Sequence, residues 1–139
     1  MRSIVFTTLL LLYPGATAAA TCAGADPAIV SVAVKGVTPS NGLNQYKIGV
    51  TVTNLGSSAQ ASNVLQYVDI YQKAGEKLDA KGIPPLRPGQ SYSFTYVAQR
   101  SSDAGNGTTK LSFKLDMRQP SAPSSQDCDL SNDTRTVTF

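Results

Sequence analysis

The 139-residue chain contains no histidine and no tryptophan, and its only glutamate is Glu76. Without histidine there can be no Ser-His-Asp or Cys-His nucleophile, no histidine-ligated zinc or copper, and no imidazole acid–base step. Aromatic residues make up only 7% of the chain, so any aromatic platform must be small. The 12 Lys and Arg residues exceed the 9 acidic ones, but they fall singly, from Lys35 through Lys47, Lys73 and Lys77 to Arg135. A nucleic-acid partner or a polybasic membrane contact would want them clustered, and neither is expected. Paired carboxylates are nominally present in Asp127 and Asp129. Neighbours in one turn cannot straddle a glycosidic bond across a cleft of ~5–9.5 Å. The expectation is a protein that is not an enzyme and uses no cofactor.

One long apolar run exists, at the N-terminus. Arg2 precedes Ile4–Tyr13, Pro14-Gly15 ends any helix, and Ala18-Ala19-Ala20 offers a small-residue cleavage site. This is the pattern of a secretory signal peptide over residues 1–20, too short to anchor in a bilayer that needs ~20 apolar residues. Residues 21–139 then form one domain, secreted, periplasmic or on the cell surface, with no membrane insertion of the mature chain. The two cysteines, Cys22 and Cys128, lie near opposite ends of it. In an exported chain they most simply pair as a disulfide. A lipid-anchored Cys22 is the competing reading, but Thr21 and Ala19 match that signal poorly.

The rest of the sequence reads as strands. Val30, Val32 and Val34 alternate with Ser31, Ala33 and Lys35, and a turn is expected over Thr38–Asn44. Tyr46, Ile48, Val50 and Val52 give the cleanest alternation, ending at Asn54-Leu55-Gly56, where Asn and Gly would supply positive φ. A third strand, Val64–Gln72, turns inward with Val64, Val68 and Ile70 and outward with Leu65, Tyr67, Asp69 and Tyr71. A weak strand over Leu78–Ile83 leads to a proline-rich connection, Pro84-Pro85 and Pro88-Gly89. Strands around Tyr92–Ala98, Leu111–Asp116 and Arg135–Phe139 follow, with Tyr92, Phe94 and Tyr96 expected in the core and Arg100–Thr109 as a polar loop. The pattern predicts an all-β, seven-stranded antiparallel β-sandwich.

Three segments carry a resemblance. Val52-Thr53-Asn54-Leu55-Gly56 is similar to a V-x-N-x-G step, Leu86-Arg87-Pro88-Gly89-Gln90-Ser91 to an L-x-P-G-x-S/T step, and Leu111–Asp116 followed by Ser131-Asn132-Asp133-Thr134 to a closing pattern. In this order they resemble the CARDB-type (cell-adhesion-related) bacterial Ig-like domains over roughly Asp26–Phe139. The resemblance implies an Ig-like sandwich serving as an extracellular spacer or binding module, and it transfers no catalytic residue.

Candidate sites are few. Tyr67, Asp69 and Tyr71 offer an outward face with two phenols and a carboxylate, suited to recognising a protein or glycan. Asp127, Asp129 and Asp133, with Asn132, are the oxygen set that calcium prefers. An EF-hand counted from Asp127 would need Gly and Glu where Asn132 and Thr138 stand, so a backbone-bracing turn is the favoured reading and no metal is expected. Asn106 and Asn132 begin N-glycosylation triplets that also read as turns. The functional expectation is a recognition module. The alternatives are a structural spacer or assembly subunit acting by edge-strand pairing and, more weakly, a calcium-dependent surface protein.

Overall fold

The computed structural model describes residues 22–105, 107–120 and 126–139. The expected signal peptide and Asn106 lie outside the described residues. Seven strands run through the described residues: β1 (Pro27–Ser40), β2 (Leu43–Asn54), β3 (Leu65–Lys73), β4 (Glu76–Ile83), β5 (Ser91–Ser101), β6 (Lys110–Gln119) and β7 (Thr134–Thr138). A short 3-10 turn, Leu130–Asn132, precedes β7. All pairings are antiparallel, giving a three-stranded sheet ordered β1-β2-β5 and a four-stranded sheet ordered β4-β3-β6-β7.

Period-two alternation builds the core between the sheets. Tyr46, Ile48, Val50 and Val52 of β2 meet Val68 and Ile70 of β3 and Leu111, Phe113 and Leu115 of β6. β2 and β5 pair in unbroken register from Leu43↔Ser101 to Thr53↔Ser91. β1 is less regular than its sequence implies. A register shift between Ile29 and Ser31 reverses its phase, so Ile29 is the buried core residue and Val30 is not among those packed on the core. A bulge of this kind inserts one residue and turns the following side chains to the opposite face.

Three further expectations are corrected. The turn expected over Thr38–Asn44 narrows to Asn41-Gly42, because both residues take positive φ (49° and 75°) and so allow a two-residue hairpin. The weak fourth strand starts earlier, at Glu76, and buries only Ile83 fully, as an edge strand that leans on one neighbour. Tyr92 is exposed and Phe94 and Tyr96 are only half-buried, since β5 has β2 on one side and solvent on the other.

Cys22 and Cys128 form a disulfide with 6.1 Å between their Cα atoms and a sequence separation of 106. No helix among the described residues is long and apolar enough to cross a membrane.

Candidate functional site

The turn letters singled out in the sequence converge on one end of the sandwich, where their work is structural. Asn54 is fully buried and its amide is saturated. Oδ1 accepts from the backbone N–H groups of Asp26 (2.9 Å) and Gly56 (3.0 Å), and Nδ2 donates to the carbonyls of Ser58 (2.9 Å) and Leu86 (3.0 Å). Its own backbone bonds Gln90 O (3.1 Å) and Gly89 N (2.8 Å), which ties the two motif segments together. Neither Asn54 nor Gly56 takes the positive φ expected of them. Gly56 is glycine for another reason. A Cβ there would stand 2.1 Å from Gly24 O and 2.7 Å from Asp26 N, so only glycine lets the lead-in to β1 pass so closely.

The acidic turn closes the same end. Asp129 caps the 3-10 turn by accepting from Ser131 N (3.0 Å) and Ser131 Oγ (2.5 Å), bonds that hold its carboxyl below the usual range. Asn132 Nδ2 donates to Asp26 Oδ1 (3.0 Å). Asp127 and Asp133 are both buried against one another. Burial, then the charge of Asp127, pushes Asp133 up to about 8. Burial outweighs the backbone hydrogen bond from Asp129 and, with the charge of Asp26, lifts Asp127 to about 6. The pair therefore tends to share a proton. Among the described residues no three acidic or cysteine side chains are grouped to hold a metal ion.

Tyr67, Asp69 and Tyr71 project from β3 onto the outer face of the four-stranded sheet, and the structure brings partners to them that the sequence did not reveal. Asp69, only 3% exposed, receives Arg118 Nη2 at 2.9 Å, Lys77 Nζ at 3.6 Å and the Tyr71 hydroxyl at 3.4 Å. Arg118 also bonds Asp116 (3.2 Å) and lays its guanidinium 3.9 Å from the centre of the Tyr67 ring. Asp69 thus anchors the face internally, and its charge is compensated. Tyr67 is half-covered by Arg118, whereas the ring of Tyr71 borders a shallow groove of about 570 Å³.

That groove is lined by Tyr71, Lys73, Lys110, Ser112, Lys114 and Thr136, together with Gln72 and the Ala74-Gly75 tip of the β3–β4 hairpin. Lysines scattered in sequence meet here because Lys110 and Lys114 share the outward phase of β6, beside β3. The inward alternation of Leu111, Phe113 and Leu115 already implies that phase. Only the β3–β6 pairing adds Tyr71 and Lys73 to it. Comparison of the chain with protein-family models, curated proteins and solved structures gave no match.

Proposed function

We propose that this chain is an exported, non-enzymatic Ig-like module of the CARDB type that recognises a protein or glycan at the cell surface or in the periplasm. The strand order supports the Ig-like part. A β1-β2-β5 sheet against β4-β3-β6-β7 is the arrangement expected when strands A, B and E face C′, C, F and G. Export is supported by the apolar leader and by a disulfide that favours an oxidising compartment.

The observation that carries the recognition reading is the outer face of the four-stranded sheet. Its carboxylates are consumed by Arg118 and Lys77, which leaves a preorganised surface of phenol rings, hydroxyls and ammonium groups around Tyr67 and Tyr71. Such a surface presents anchors and donors without a general acid–base pair. Arrays of cell-envelope proteins and glycans probed with the domain should report binding that Tyr67→Ser and Tyr71→Ser weaken, while stability changes by about 1 kcal/mol or less. Binding that both variants retain in full would overturn this assignment of the face.

A second reading, assembly by strand pairing, is favoured by β5. Its 11 residues carry no proline and no exposed charge, and they run without a bulge. The other edges are guarded: β1 by register shifts and two prolines, β4 by Glu76, Lys77, Asp79 and Lys81, and β7 by its length of 5 residues. Sedimentation of the wild type and of Val97→Lys tests it. A dimer or filament dissolved by the lysine supports assembly, and a monomer at all concentrations removes self-assembly.

A further inference from the structure

We propose that the groove beside Tyr71 binds a polyanionic glycan, a linear polysaccharide carrying repeated carboxylates. This rests on the recognition reading above and narrows its ligand. Lys73, Lys110 and Lys114 line the groove, no carboxylate does, and none of the three makes an ion pair among the described residues. The cations elsewhere on the face, Lys77 and Arg118, are already matched to Asp69 and Asp116. The charge left over is therefore concentrated in one place. Lys110 and Lys114, four residues apart on β6, stand ~13 Å from each other, and Lys73 faces them from the β3–β4 hairpin. Three like charges spaced near the screening length gain most from a ligand whose own charges repeat along its length.

The rest of the lining selects the class of polyanion. The floor is made by β3 and β6, interior strands whose backbone groups are spent within the sheet, so an acidic peptide could not add as a strand and would gain only side-chain contacts. A single aromatic ring, Tyr71, is too little for successive stacked bases. One ring is enough to cover the apolar face of one sugar, and the hydroxyls of Ser112 and Thr136 are suited to sugar hydroxyls. The Tyr71 hydroxyl also reaches towards Asp69 (3.4 Å), which biases the ring's orientation before binding.

The test titrates the mature domain with four probes of similar length: a polyuronate, a neutral glucan, polyglutamate and a single-stranded DNA oligomer. The polyuronate should bind best, with affinity falling as salt is raised. Lys110→Gln with Lys114→Gln should weaken it about tenfold or more, and Tyr71→Ser should weaken it further. Lys47→Gln, on the outer face of the opposite sheet, should change it less than about twofold. All these positions are exposed or half-buried, and melting temperatures confirm folding of each variant. Equal binding of polyglutamate and DNA would overturn the inference in favour of unselective charge attraction. Tyr71-dependent binding of the neutral glucan, or of an envelope protein alone, would overturn it while leaving the recognition reading intact. Binding that depends on neither Tyr67 nor Tyr71 would overturn both.

Discussion

At the end where β1 enters and β6 leaves, the sandwich is held by a disulfide, a saturated buried amide at Asn54, and the Asp26–Asn132 and Asp127–Asp133 contacts. At the opposite end the hairpin tips Asn41-Gly42 and Ala74-Gly75 are exposed, and one side chain does most of the fastening. Arg100, buried between the sheets, donates to Tyr46 Oη (3.1 Å), the Phe139 backbone oxygen, Thr108 Oγ1 (3.2 Å) and the carbonyls of Ala104 (3.2 Å) and Gly105 (2.8 Å). Its guanidinium also lies over the rings of Tyr46 and Phe139, 5.0 and 5.6 Å from their centres. The first end is cross-linked many times over by groups that face one another. The second is pinned at a point, by Arg100.

The comparison can be broken most decisively at Gly56. Gly56→Ala should cost about 4 kcal/mol, because the new methyl meets backbone and not a movable side chain, and thermal unfolding would read this directly. A cost under about 1 kcal/mol would mean the close approach relaxes easily. Next in size, Cys22→Ser with Cys128→Ser should lower stability by about 3 kcal/mol, since a covalent loop of 106 residues is opened in the unfolded chain. Arg100→Met should cost about 2 kcal/mol, measured by urea unfolding, as carbonyls and the Tyr46 hydroxyl lose their donor.

A pH-dependent effect sharpens the picture of the first end. Asp133 carries its proton more tightly folded than unfolded, so its contribution is complete below its ordinary value of 3.8 and is lost as pH rises through about 8. The melting temperature should therefore fall between pH 4 and pH 8. Asp133→Asn should flatten that slope and raise stability at pH 8. A wild-type profile that rises over this range would contradict the shared proton.

Much of the fold was legible because several strands alternate cleanly enough to show which face is buried. Tyr46–Val52 and Leu111–Leu115 needed no tertiary information. The phase of β1 was not legible, since a bulge leaves no mark in residue type, and Val30 reads as core until its register with β2 is known. Asn54 and Gly56 were recognisable as punctuation but misread in mechanism. Local propensity suggests a turn residue, whereas the structure uses one as a buried hydrogen-bond hub and the other as a gap for a passing backbone. Arg100 looked like the start of a polar loop, because nothing local indicates that Tyr46 and Phe139 enclose it. The outward set Tyr67, Asp69 and Tyr71 was visible from alternation. Its cationic neighbours came into view only when β6 paired beside β3.

The position of the disulfide also decides how the molecule would answer a pull. Tension applied between Cys22 and Phe139 crosses at once to Cys128, bypassing β1 to β6. Of the seven strands only β7 lies beyond that shortcut, so between Cys22 and Phe139 the slack that force can draw out is residues 129–139, about 40 Å of chain when extended. Under load the domain would lengthen by one short strand and then behave as an almost inextensible link.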